Sequence, residues 1–269
     1  MTPDQAIRQG SKSFALASMF LPSGNRGRVR ILYQWCRSCD DLIDEARDPD
    51  DLKKRLDLLF QMQPPDWVNP DHARELIEGF KMDAAGIQIR SFSDLDLYCF
   101  RVAGVVGLMM CPLLGADLER AQAAASALGK AMQLTNICRD VQADAGLGRV
   151  YLPSEFWQES HGQPPAPTAA ELAVRPELAY PAVKWLLEVA DVGYREGFKG
   201  LRFLPLRCAF AIAVAGLVYQ KIGKCLLEEA KKNPGKAFRK RIVVPRSGKL
   251  ASLWGALWLV LRSRLPVKT

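Results

Sequence analysis

The 269-residue chain holds only two histidines, His72 and His161. Neither stands near a carboxylate in sequence, which argues against histidine acid–base or zinc chemistry. No GxGxxG or Walker-type loop offers a nucleotide site. No stretch alternates apolar and polar residues as a strand does, and no segment repeats. No long Pro/Gly/Ser linker divides the chain, and a sequence about half hydrophobic can bury a full core, so one domain over residues 1–269 is expected. No uninterrupted apolar run reaches the length of a bilayer span. Residues 1–10 are polar, and the apolar run 14–21 is broken by Ser18 and bounded by Pro22, so no secretory signal is read. Seven cysteines, an odd number at irregular spacing, fit reduced thiols in a cytoplasmic protein rather than a disulfide framework. Acidic residues are the scarcer charge, 29 against 37 Lys and Arg, a net +8. That balance favours an anionic partner: nucleic acid, anionic lipid or a phosphorylated substrate. No recognised nucleic-acid module is present, so nucleic acid is not expected.

The acidic residues that are present cluster. Residues 133–153 read QLTNICRDVQADAGLGRVYLP, and Asn136, Asp140 and Asp144 stand at i, i+4 and i+8. On a helix they form one stripe, drifting about 40° and rising about 6 Å per step. Leu134, Ile137, Cys138 and Val141 fall largely on another face. One such stripe alone reads as a solvated helix face. A second cluster changes the reading: residues 39–44 are CDDLID, with Asp40 and Asp44 again at i, i+4 and Asp41 beside them. Stacked carboxylates repel unless a cation lies between them, and hard divalent ions take oxygen ligands from carboxylates, water and phosphate. Arg37, one turn before Asp40 and Asp41, can hold a carboxylate or meet a diphosphate oxygen. Trp35-Cys36-Arg37-Ser38-Cys39 offers a redox alternative, but such pairs start a helix after a strand, and this one lies within a continuous helical pattern.

Helical periodicity is expected over residues 27–46, 52–62, 71–85, 95–114, 116–144, 181–200, 206–230 and 249–265. Residues 157–176 read as a variable connection and 231–249 as a basic solvated or disordered stretch. Arg149 and Tyr151 follow the Gly146-Leu147-Gly148 stop in a loop closed by Pro153, suited to cover an anion. Small residues 103–107 in an apolar helix permit close helix contact or leave room for a ligand. Met82 and Asp83 end one helix, with Asp83 either structural or near the acidic clusters. In the last segment Leu250, Leu253, Trp254, Leu257, Trp258, Leu261 and Leu265 form an apolar stripe flanked by Lys249, Arg262, Arg264 and Lys268. It either packs on the protein or docks on an anionic membrane surface.

Six motifs in order resemble the squalene/phytoene synthase family, most closely its bacterial phytoene-forming branch: SKSFALAS (11–18), LYQWCRSCDDLID (32–44), EGFKMD (78–83), YCFRVAGVVGLMM (98–110), residues 133–153, and RCAFAIAVAGLVYQKIG (207–223). The resemblance implies an all-α, single-domain helical bundle of the isoprenoid-synthase type with a central apolar cavity. It implies a prenyltransferase that condenses two C20 prenyl diphosphates head to head to phytoene, with Mg²⁺ or Mn²⁺ and no nicotinamide. Asp40, Asp41, Asp44, Asn136, Asp140 and Asp144 would hold the metal. Ser11, Ser13, Arg37, Tyr98, Gln133, Asn136, Arg139, Arg149, Tyr219 and Arg241 would hold substrate. Phe14, Tyr33, Tyr98 and Phe100 are candidates to face a carbocation; Phe100 stands where many relatives carry Tyr or His. The protein is expected in the cytoplasm, peripheral to the inner face of a membrane. Two other readings stay open: a C15-specific synthase making dehydrosqualene or presqualene diphosphate, and a non-catalytic assembly protein on the same fold.

Overall fold

The computed structural model describes residues 12–158 and 165–265, and every described regular element is helical. The expectations for Ser11, His161, Lys268 and the side chains of Ser13 and Phe14 lie outside the described residues. Helix α1 is Lys12–Ser18 and α2 is Ser23–Asp44. In α2, Val29, Leu32, Trp35, Cys39 and Ile43 recur at three- and four-residue steps and are buried. Helices α3 (Pro49–Gln61) and α4 (Pro70–Ala84) each start with Pro at N1 behind a side-chain cap, Asp48 and Asn69. A Ser91/Asp94 capping box opens α5 (Phe92–Cys99). A π-helical turn, Phe100–Gly104, runs on into α6 (Val105–Leu113). The 29-residue α7 (Leu118–Gly146) ends where Gly148 takes φ +77°.

Short helices α8 (Glu155–Gln158) and α9 (Ala169–Val174) follow. Then come α10 (Tyr180–Lys199), a 3₁₀ turn (Gly200–Phe203) and α11 (Leu206–Lys232). The chain closes with α12 (Pro234–Ala237) and α13 (Arg246–Arg262).

Two apolar bodies make the core. Residues from α2, α3, α4 and α6 form one, around Leu32, Leu59, Leu76 and Val105. Residues from α5, α7, α10, α11 and α13 form the other, around Leu134, Leu186, Val214 and Val260. Helix α7 is the central strut, and close contact is built into it. A Cβ at Gly129 would overlap the Ala103 carbonyl, and one at Gly107 would overlap that of Ala125. The small residues of 103–107 thus serve close packing, and Ala103, Val106 and Gly107 also line the cavity described below.

Several sequence expectations need correction. Residues 157–176 contain α9, which sequence pattern alone missed, with Leu172 fully buried. The basic stretch 231–249 is anchored rather than loose, since Ala237, Phe238 and Val244 are buried. Two helical stretches, Phe92–Leu113 and Leu206–Lys232, are long and apolar enough to cross a bilayer by composition, contrary to the reading of uninterrupted runs. Both pack within the bundle. Finally, α13 packs through Ser252, Ala256 and Val260, while Leu250, Trp254, Leu257, Trp258, Leu261 and Leu265 are exposed. The apolar stripe therefore faces mostly outward, and small residues make the helix contact.

Candidate active site

A cavity of about 430 Å³ lies between the two apolar bodies. Along α7 its lining runs from Asp144 through Asp140, Asn136, Gln133, Met132 and Leu128 to Ala121. That is a span of 24 residues, about 35 Å of helix. One end is ionic and the other apolar.

At the ionic end α2 presents Asp40 and Asp44, α4 presents Asp83, and α7 presents Asp140 and Asp144. Arginines tie several of these. Arg37 reaches Asp40 at 2.8 Å and Asp41 at 2.6 Å. Arg149 reaches across to Asp44 at 2.6 Å. Arg139 grips its neighbour Asp140 side-on with one guanidinium edge, Nε donating to Oδ1 at 2.9 Å and Nη2 to Oδ2. Arg241, from the segment before α13, brings its Nε within 3.6 Å of the other side of that pair, Asp140 Oδ1. Helix α7 is itself bent here: Asp140 has φ −105° and ψ 16°, outside helical values. The straight stripe expected from spacing is thus kinked at its middle member, yet Asn136, Asp140 and Asp144 all still line the cavity.

Burial and like charge act on three of these carboxyls. Desolvation, with Asp140 next, pushes Asp144 up to about 8. Among the described residues Asp144 makes no side-chain hydrogen bond or ion pair. Asp40 rises to about 7, from desolvation and then Asp44, against the pull of Arg37. Asp83 is raised chiefly by burial, although the Tyr151 hydroxyl donates to it at 2.6 Å and that of Tyr98 at 3.0 Å. Those two rings stack, centroids 4.7 Å apart. Asn136 donates to Gln133 Oε1 at 3.3 Å, and its own Oδ1 is buried with no partner. Among the described residues no three acidic, histidine or cysteine side chains converge closely enough to hold an ion unaided.

Of the residues expected at the site, Arg37, Asp40, Asp44, Tyr98, Gln133, Asn136, Arg139, Asp140, Asp144, Arg149, Tyr219 and Arg241 all line this one cavity. Asp41 does not; it turns to Arg37 and fixes that guanidinium instead. Tyr33 lines the cavity but Phe100 does not. The redox alternative fails on geometry and charge: Cys36 and Cys39 lie inside α2, and burial pushes the Cys39 thiol up to about 12.

The profile of the squalene/phytoene synthase family matches residues 7–247. The chain belongs to this family. A 15-cis-phytoene synthase from Paracoccus sp. is 36% identical over 295 aligned residues, covering 99% of this chain and 93% of that protein. A phytoene synthase from Pseudescherichia vulneris is 37% identical, covering 97% and 91%. A ligand-bound dehydrosqualene synthase crystal structure superposes with TM-score 0.80 at 28% identity, covering 97% of this chain and 95% of that one. The helical fold is thus that of squalene- and dehydrosqualene-forming synthases.

Asp83 is the site residue that sequence reasoning left without a defined role, and Tyr151, expected in a loop covering an anion, donates to it. A signal for Asp83 existed. Ala73, Leu76 and Phe80 form the buried stripe of α4, and Asp83 continues it three residues on. A carboxylate on a core stripe requires partners, and the two tyrosine hydroxyls supply them.

Proposed function

We propose that the chain is a phytoene-forming prenyltransferase, joining two geranylgeranyl diphosphates head to head as one catalytic domain over residues 1–269. The observation that carries this reading is the cavity's polarity: acid-bearing helices α2 and α7 face each other at one end, and the remaining lining is apolar. The named activities of the Paracoccus and Pseudescherichia relatives agree with it.

Charge at the ionic end argues for bound cations. Five carboxylates (Asp40, Asp44, Asp83, Asp140, Asp144) face four guanidiniums (Arg37, Arg139, Arg149, Arg241) along the lining. A diphosphate would add further negative charge, so its binding calls for added positive charge. The raised Asp40 and Asp144 carboxyls and the orphaned Asn136 Oδ1 are oxygen donors suited to Mg²⁺ or Mn²⁺. Mg²⁺ needs few protein ligands when phosphate and water complete its shell, which fits the absence of a self-sufficient triad. We assign Asp40, Asp44, Asn136, Asp140 and Asp144 to hold it. Bound there, the metal would supply Lewis-acid stabilisation of the departing diphosphate.

The chain's own groups do the rest. Arg37, Arg139, Arg149 and Arg241 orient the diphosphates by charge-assisted hydrogen bonds. The C1–O bond of the first substrate breaks, its electron pair leaving with pyrophosphate. The double bond of the second substrate attacks the allylic C1, and loss of a proton closes a cyclopropane, giving prephytoene diphosphate. Cleavage of the second C–O bond, rearrangement and loss of another proton give phytoene, so no reductant is consumed. Apolar walls exclude water from the cations, and the Tyr33 and Tyr98 rings can face them.

The likeness to a dehydrosqualene synthase supports a second reading, the same reaction on C15 substrates. Incubation with Mg²⁺ and either the C20 or the C15 diphosphate, without nicotinamide, tests both by chromatography of the hydrocarbon. Phytoene from the C20 substrate is expected. Product from the C15 substrate alone, or only with NADPH, would overturn the assignment, and no product from either would favour a non-catalytic role. We also propose that α13 docks on the anionic cytoplasmic face of a membrane. Trp254 is 74% and Trp258 56% exposed, an arrangement suited to the headgroup boundary.

A further inference from the structure

The apolar end of the cavity has a wall lined by Cys111, Leu114, Ala116, Ala121, Leu201 and Leu204. Cys111, Ala116 and Ala121, with Leu118, Ala125, Phe203 and Leu204 against them, form an apolar cluster separate from both main bodies. Two loops meet there: a Cβ on Gly115 would stand 3.3 Å from the Pro205 ring. The 3₁₀ turn that carries Leu201 and Phe203 packs inward on α7, α10 and α11 and is clasped from outside by Arg264. Arg264, just past α13, donates to the carbonyls of Arg202 at 2.7 Å, Leu201 at 3.3 Å and Leu204. Leu206, Leu261 and Leu265 are exposed beside it, each about 60% or more. Arg120, Arg202, Arg207 and Arg262 are exposed around them. Guanidiniums of Arg120 and Arg202 each sit 4.9 Å from the Phe203 ring. Asp117 and Glu119 at the start of α7 are the nearby acids in sequence, so arginine predominates.

We infer that this wall is the product's exit, opening onto the lipid bilayer on which α13 docks, with Arg264 linking the docked helix to the door. The inference rests on the proposed reaction and docking, and goes beyond them in assigning a route. Diphosphates need the ionic end to bind. A pure hydrocarbon does not, and passage back between charged aspartates and arginines would force those groups to lose hydration beside an apolar chain. At the opposite end the hydrocarbon meets uncharged, mostly apolar side chains, Cys111, Ala116, Ala121, Phe203, Leu204 and Pro205, before reaching an apolar, arginine-rimmed surface. Bilayer contact there displaces water from the exposed leucines, and anionic headgroups meet the arginines.

The test follows labelled hydrocarbon after one turnover of the full chain, with vesicles of mixed phosphatidylcholine and phosphatidylserine present. Transfer to vesicles is read by flotation, and product formation by quenching. The Gly115→Cys/Pro205→Cys pair staples the door when oxidised. Formation should be unchanged, while transfer falls at least tenfold and recovers on reduction. A stapled protein that hands product to vesicles as fast as its reduced form overturns the exit. Arg264→Ala should quicken transfer severalfold with formation unchanged, and an unaltered transfer rate would overturn the coupling through Arg264. Absence of product from the unmodified protein would instead mean that the proposed reaction is wrong.

Discussion

Replacing Asp144 with asparagine should make the metal-free protein more stable and the enzyme nearly inactive. The side chain keeps its shape, so packing around it changes little. The folded carboxyl titrates at about 8 against 3.8 for a free aspartate, so the folded state holds the extra proton between those values. Stability contributed by this group therefore falls as pH rises through that window. At about 1.4 kcal/mol per unit, the ceiling on the destabilisation at pH 8.5 is roughly 5–6 kcal/mol. Water at the cavity mouth screens it, leaving on the order of 2 kcal/mol. For a chain of this size that is a rise in Tm of about 4–8 °C in Asp144→Asn. Thermal unfolding with EDTA at pH 8.5 and at pH 4.5 measures it, and the gain should shrink toward zero at the lower pH. Added Mg²⁺ should raise the Tm of the wild type more than that of the variant. Turnover with Mg²⁺ should meanwhile drop by about three orders of magnitude, the equivalent of ~4 kcal/mol at the transition state. A variant that is less stable than wild type at pH 8.5 without metal, or that turns over within tenfold of it, refutes the reasoning.

Asp140→Asn should lower turnover by about a thousandfold with helical content unchanged by circular dichroism; near-wild-type turnover in the folded variant would remove Asp140 from the metal site. Gly129→Ala should cost about 2–3 kcal/mol in urea unfolding, because its Cβ meets the Ala103 backbone rather than a side chain that can turn aside. The Trp254→Glu/Trp258→Glu protein should stop floating with anionic liposomes at low salt while its Tm stays close to wild type, since both rings are outside the α13 contact. Flotation equal to wild type would show that α13 does not dock.

The acidic pairs of α2 and α7 were legible because i, i+4 spacing on a helix is enough to put Asp40 with Asp44 and Asp140 with Asp144. Their meeting across a hundred residues came only from the family resemblance, since it depends on how the bundle sets α2 and α7 across the cavity. Arg149 spans that gap to Asp44, a contact no local pattern encodes. Two backbone departures border the cavity, the π turn Phe100–Gly104 and the bend at Asp140. Periodicity assumes regular helix and cannot foresee either. In α13 the pattern left packing and docking both open. Large apolar residues usually mark the buried face, but close approach to α11 selected Ser252, Ala256 and Val260 and turned the large residues outward.

Net charge shows the same limit in another form. A chain at +8 invites the expectation of a basic binding site, yet the ionic end of the cavity carries more carboxylates than guanidiniums. The excess positive charge lies elsewhere, some of it in the arginines around the apolar end. Each end then calls for a different partner. At the ionic mouth Asp40 and Asp144 keep their protons near neutral pH unless a cation displaces them, so on the proposed reading diphosphate binding there is coupled to a divalent cation. At the arginine-rimmed end no such cation is needed, and an anionic surface can bind directly. Added salt should separate the two: screening acts strongly on exposed arginines and weakly on groups inside the cavity. Membrane attachment should therefore weaken well before Mg²⁺-dependent diphosphate binding does.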